Sequence, residues 1–447
     1  MIWLRRAFTL PLILIFFVLL VAAVAITSVN NTAANQDFYN DQMVQADIYN
    51  YIYDSILPAA LDEMDTTDTS DLPVSIEDIH IEIAAAVEQA FPAWWLQQQF
   101  ESVTGVLVPY MVDDEAGFTY TFTVKEQMDD IGQAIKDTFL VGNTFAGLYD
   151  DLISYIAGYY YDNLPELPPD VDITQPEIRT ALESSLSQQW LKAQLDVAID
   201  QVVPYLSGDR NYFDINFAIQ EQVSDDVLLD LLGPGNEAYL EDAREWIGDG
   251  WTYTQNDLYA ELSAEDVQNL QDVRGWIHDG YTFDQDNMRE AISDDPQELQ
   301  DFDDARHWIS VGRSLIWVLW LVPFLFLVGI GFLGGRGWKT RAAGPLVILF
   351  VVSLVMFLSV MLTWGQWGDD LTLQDFNLGT YVGTYEAHDG VGAVTENKAN
   401  EIFHDAVGSL VGNMQNTCLY MMIASGAGIA AVGVWWLISS RSNKGAA

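Results

Sequence analysis

Four apolar runs interrupt an otherwise polar chain: Ala7 to Ser28, Ser314 to Gly334, Pro345 to Trp364 and Thr417 to Ser439. Each is close to the ~20 residues that a helix needs to cross a hydrocarbon core, which predicts four membrane spans. None contains Asp, Glu, Lys, Arg or His, the side chains that relay ions or protons inside transporters and pumps, so the spans read as a packed anchor bundle. Gly329 and Gly331 in the second run, and Gly426, Ala427, Ala430 and Ala431 in the fourth, predict close helix contacts, with Pro323 a point of bending. The first run exceeds the ~7 to 15 residues of a signal-peptide core. It is therefore expected to stay as an anchor, although Ala23-Val24-Ala25 fits a cleavage pattern.

Between the first two runs the pattern changes to amphipathic helices and short alternating strands. Residues 72 to 127 align without a gap onto residues 167 to 222 at an offset of 95. Leu72-Pro73 returns as Leu167-Pro168, Trp95-Leu96 as Trp190-Leu191, Pro109-Tyr110 as Pro204-Tyr205, and Glu126-Gln127 as Glu221-Gln222. Leu96, Phe100, Val103, Leu107 and Tyr110, matched by Leu191, Leu195, Ala198, Val202 and Tyr205, step by four and three along a helix. Phe118, Tyr120, Phe122 and Val124, matched by Phe213, Ile215, Phe217 and Ile219, alternate as in a half-buried strand. With the shorter helix opened by Thr174-Gln175-Pro176-Glu177, each copy reads helix, helix, strand. The two strands are expected to join one small sheet, with a groove or shared core between copies around Trp95, Tyr110, Trp190 and Tyr205.

After Gly233-Pro234-Gly235 a second repeat begins: Asp242-Ala243-Arg244-Glu245-Trp246-Ile247, Asp272-Val273-Arg274-Gly275-Trp276-Ile277 and Asp304-Ala305-Arg306-His307-Trp308-Ile309. These predict three related helices. Gly250-Trp251-Thr252-Tyr253 and Gly280-Tyr281-Thr282-Phe283 between them read as short extended turns. The segment is expected to form a helical-repeat stalk whose Asp, Arg and Trp residues serve packing. Residues 365 to 416 end in an amphipathic stretch from Ile402 to Met414, expected to lie on the stalk or the bilayer surface, with protein preferred because Glu396, Glu401 and Asp405 repel anionic lipid.

Charge then orients the molecule. Arg5, Arg6, Arg336, Lys339, Arg341, Arg441 and Lys444 place both termini and the turn between spans two and three in the cytoplasm of a multi-pass cell-membrane protein. All 65 acids lie on the other side with the remaining 11 cations, which leaves that face at −54. Trp3, Trp317, Trp320, Trp338, Trp364, Trp367, Trp435 and Trp436 fall near span ends, where indoles sit among headgroups. The single cysteine, Cys418, allows no intrachain disulfide, so the outer domain stands on packing.

The fold class expected is a mainly α membrane protein, with four transmembrane helices and a large helix-rich α+β extracytoplasmic domain. The parts are the N-terminus with the first span (1–28), ectodomain repeats A (29–143) and B (144–235), the stalk (236–313), the second span (314–334), a cytoplasmic turn (335–344), the third span (345–364), a second outer segment (365–416), the fourth span (417–439) and a cytoplasmic tail (440–447). Candidate chemistry is sparse. His80, His278, His307, His388 and His404 show no metal-binding spacing, and no serine nucleophile motif occurs. The residues point away from an enzyme and call for no cofactor, although acid clusters that include Asp62, Asp65 and Asp68, or Asp284 and Asp286, offer oxygen ligands to calcium. Nucleic acid is excluded as a partner by like charge. The expected function is a membrane-anchored binding or assembly module whose partners are the bilayer and a protein or a second copy. The alternatives are a cation-responsive or transport-accessory protein and a surface hydrolase.

Overall fold

A computed structural model describes residues 2–65, 76–164, 171–248, 250–293, 295–334, 338–368 and 390–444. The described residues are mostly helical, with four short strands among them: β1 (Thr119–Phe122), β2 (Asp214–Phe217), β3 (Trp251–Thr254) and β4 (Tyr281–Asp284). Helices Ile2–Thr32, Ile316–Gly334, Trp338–Trp367 and Gly390–Lys444 are long and apolar enough to cross a membrane. Inside lipid a helix satisfies every backbone N–H and C=O internally, which is why these runs take this form. They pack through Phe16, Leu20, Val24, Leu327, Ile330, Val352, Met356 and Cys418. The indole of Trp320 donates to Thr27 Oγ1 at 2.9 Å, and Ser425 donates back to the Met421 carbonyl at 2.6 Å. Gly331 permits the tightest of these contacts, since a Cβ there would lie 2.6 Å from Pro345 Cγ.

The outer amphipathic stretch and the fourth span were expected as separate elements, yet they form one helix of 55 residues, Gly390–Lys444. The change in polarity near Thr417 brings no proline and no cap, and Thr417 Oγ1 bonds back to the Asn413 carbonyl at 2.9 Å, so the backbone continues. The half that precedes Thr417 packs on the helices of residues 36–65. Gln42 Nε2 donates to Ser409 Oγ at 3.1 Å, Tyr51 donates to the Val394 carbonyl at 3.2 Å, and Glu63 accepts from Val391 N–H at 2.8 Å.

In the first aligned segment, helices Ile76–Ala90 and Ala93–Met111 lead to β1, and Lys125–Phe139 follows. In the second, Gln175–Ser185 and Gln188–Leu206 lead to β2, and Asp225–Leu232 follows. Helix Gln175–Ser185 opens with the capping box of Thr174 and Glu177, Thr174 N–H donating to the carboxylate at 2.8 Å. The turns after the two long helices each need a left-handed residue, supplied at matching positions by Asp113 (φ 60°) and Gly208 (φ 78°). Glycine is required at the second, where a Cβ would stand 2.9 Å from His278 Cβ.

The expected joint sheet does not form. β1 pairs antiparallel with β4, Thr119 opposite Asp284 and Phe122 opposite Tyr281, while β2 pairs antiparallel with β3, Asp214 opposite Thr254 and Phe217 opposite Trp251. The segments read as extended turns are therefore the partner strands, and β1 and β2 belong to separate two-stranded sheets. A four-residue alternation shows which face is buried and carries no information about which edge it will meet. The order is nested, since the later aligned segment takes the nearer strand and the earlier one takes the farther. Helix Pro296–Ser314 then reaches the second membrane helix through a one-residue break at Leu315.

Candidate functional site

Two arginines of the second repeat tie the structure together. The Arg306 guanidinium lies 3.7 Å from the centroid of the Tyr110 ring, while its Nε donates to the Tyr110 carbonyl at 2.7 Å and its Nη2 to the Glu115 carbonyl at 3.1 Å. Arg274 repeats the arrangement 3.9 Å from the Tyr205 ring, donating to the Tyr205 carbonyl at 2.6 Å and the Arg210 carbonyl at 2.7 Å. Both acceptors in each clasp are five residues apart, at positions that correspond at the offset of 95. A guanidinium is suited to this work because its flat face covers a ring while its edge donates in the plane. Tyr110 is 1 % exposed and Tyr205 0 %. Burial pushes the Tyr205 phenol up to about 12.

Arg306 is itself buried, with Asp303 at 3.5 Å and Asp113 at 3.6 Å to balance its charge. Arg289 grips Asp303 with both Nη atoms, at 2.7 and 2.9 Å. That bond holds the Asp303 carboxyl below its ordinary range. Closer to the spans, Arg313 Nε donates to Asn30 Oδ1 at 3.0 Å and its Nη1 to Asp114 Oδ2 at 2.6 Å. One side chain therefore joins the end of the first membrane helix, the approach to the second and the turn that follows Tyr110.

Of the four residues expected around a groove or core between the copies, Trp95, Tyr110 and Tyr205 are buried and Trp190 is half-buried. Trp95 packs edge-on against Phe91 and Phe122, each at 5.4 Å, and Tyr110 meets Phe118 at 5.1 Å. Tyr205 meets Phe213 at 5.0 Å and donates its hydroxyl to Tyr259 at 2.9 Å, while Trp190 is half-buried against a separate core built on Ile153, Ile178, Leu182 and Leu228. Among the described residues, no hydrogen bond or ring contact joins Trp95 or Tyr110 to Trp190 or Tyr205.

Of the acids considered for calcium, Asp62 is exposed, while the Asp65 side chain and Asp68 lie outside the described residues. Asp284 caps helix Gln285–Ile292, accepting from the N–H groups of Asp286 at 2.9 Å and Asn287 at 3.1 Å. Among the described residues no three His, Cys, Asp or Glu side chains gather as a metal site.

The three Asp-x-Arg-x-Trp-Ile helices use their faces differently. In helix Leu240–Ile247, Ala243 and Ile247 are buried, Trp246 Nε1 donates to the Asn163 carbonyl at 3.1 Å, and Arg244 faces outward to Asp225 at 2.9 Å. In the other two the arginine turns inward, leaving Val273, Trp276, Trp308 and Ile309 exposed. Beside Arg244 lies a cleft of about 320 Å³ lined by Gln220, Val223, Asp225, Leu228, Arg244 and Ile247. The inward arginines were not singled out from the sequence as binding residues. Their signal was the recurrence of one cation in three otherwise acidic motifs. No protein-family model, curated protein or solved structure matches the chain.

Proposed function

We propose that the chain is a membrane-anchored extracytoplasmic binding or assembly module, in which an internal duplication builds two lobes carried on a four-helix anchor. The observation that carries this reading is the pair of matching clasps, Arg306 on Tyr110 and Arg274 on Tyr205, with Arg313 joining the first lobe to the first and second membrane helices. Such an arrangement stiffens the lobes and fixes the first of them to the anchor, as a surface that must present a binding face needs. The exposed aromatic side chains Trp251, Trp276 and Trp308 are of the type enriched where protein surfaces meet. The distribution of Lys and Arg supports a topology with both termini in the cytoplasm and the acidic lobes outside.

Cross-linking the full chain in its own membrane, followed by identification of its neighbours, tests the proposal. Reproducible capture of a defined partner or of a second copy is expected. Recovery of the chain alone, as a monomer, at cross-linker levels that trap known membrane complexes overturns it.

A further inference from the structure

We propose that the cleft beside Arg244 binds a tyrosine-bearing stretch of a partner polypeptide, Arg244 taking its ring and main-chain carbonyls as Arg274 and Arg306 take theirs within the chain. The inference rests on the binding-module reading and names the chemistry of its partner. Three arginines occupy one position in the repeated motif. Two of them hold the same ligand, a Pro-Tyr at the end of a helix: Pro109-Tyr110 under Arg306 and Pro204-Tyr205 under Arg274. Among the described residues the third has no ring beneath it and bonds only Asp225.

The surroundings of Arg244 are those of a receiving site. Its helix is locked by Ala243 and Ile247 in the core, and its carbonyl accepts from Gln220 Nε2 at 3.3 Å, so the guanidinium projects from fixed backbone. Val223, Leu228 and Ile247 supply apolar wall and Gln220 a further polar group. The volume of about 320 Å³ is at the small end of ligand sites, suited to one aromatic side chain and its backbone rather than an extended ligand. Asp225 does not block entry. Its pair with Arg244 is half-exposed, at 49 % and 48 %, and exposed pairs of this kind hold their partners only weakly. A phosphate ligand would have to approach through a face carrying a large excess of acid. A neutral ring with carbonyl oxygens meets no such barrier.

The test uses the full chain in lipid nanodiscs and N-acetyl-prolyl-tyrosinamide as the probe, followed by ligand-detected saturation transfer. Transfer to the tyrosine ring protons is expected. It should fall about tenfold or more in Arg244→Gln, as loss of a charged donor predicts, and rise in Asp225→Asn, which frees the guanidinium. N-acetyl-prolyl-leucinamide should give little signal. Unchanged transfer in Arg244→Gln, or an equal response to the leucine probe, overturns the proposal, with unaltered circular dichroism showing that the variant is folded. Membrane cross-linking of the same variant separates the two readings. If the wild type captures a partner and Arg244→Gln captures it equally, the cleft is not the site and the module reading stands. If the wild type captures nothing, the module reading falls, and the probe titration alone decides the cleft.

Discussion

At the scale of single residues the informative side chains are the rare ones. Eleven cations share the acidic segments with the 65 acids, and among the described residues nine of them hold a carboxylate or a main-chain carbonyl that belongs to another turn or another element. Their positions therefore mark joints. Arg306→Ala leaves the Tyr110 and Glu115 carbonyls unpaired beneath a buried ring, and a loss of about 3 kcal/mol is expected in thermal or denaturant unfolding of the full chain in micelles. Arg306→Lys should recover little of it, because an ammonium cannot stack and fork at once. Two other groups contribute to the pH limits of stability. Asp303 is held below the ordinary carboxylate range by its bond from Arg289, so its contribution is full above that range and disappears as pH falls through and below it. Asp303→Asn should flatten the acid limb of a stability–pH curve. Tyr53 is pushed from 10.0 up to about 12, by burial first and then by Glu88. The unfolded phenol ionises first, so this contribution is whole below 10 and lost as pH rises towards 12. Tyr53→Phe should reduce the alkaline loss measured by the same titration.

At the scale of elements, register is the claim most open to experiment. Thr121 faces Thr282 across the β1–β4 ladder with hydroxyl oxygens 3.2 Å apart, so a Thr121→Cys, Thr282→Cys pair should oxidise readily to a disulfide. A Thr121→Cys, Asn216→Cys pair, which a sheet shared by β1 and β2 would bring together, should stay reduced. The long helix gives a second test: amides from Asn413 to Cys418 should exchange as slowly as their neighbours, whereas a jointed element would show a fast-exchanging break there. Most individual elements were legible in the sequence. Apolar steps of three and four gave the long helices ending at Tyr110 and Tyr205, and Thr174 with Glu177 marked a helix start. Pairing was not legible, because β1 carries the same alternation whichever edge it meets. The inward turn of Arg274 and Arg306 was hidden for a related reason. The motif that buries Ala243 and Ile247 in one helix exposes Val273 and Ile309 in the others, and only tertiary contact decides which face wins. The Arg244 cleft gave no sequence signal beyond the repeat itself, since Gln220, Val223 and Leu228 come to it from outside the motif.

At the scale of the whole molecule, four apolar helices and an acidic remainder were plain from composition, because hydrophobic length and charge are additive along a chain. The same charge predicts a salt response. With 65 acids against 18 cations, self-repulsion opposes the compact state, and raising ionic strength from about 0.01 M to about 0.15 M shortens its reach from about 30 Å to about 8 Å. The unfolding temperature of the full chain should rise by a few degrees over that range, and no rise would show that local pairing already cancels the field. The nested strand pairing also sets an order of assembly in time. Phe217 meets Trp251 after 34 residues, but Phe122 must wait 159 residues for Tyr281, a loop about 1.4 kcal/mol harder to close on entropy alone. During synthesis the second lobe therefore closes while the first stands open. The first is sealed by Arg306 only as the chain approaches helix Ile316–Gly334, so emergence of that helix and completion of the β1–β4 pairing become nearly one event.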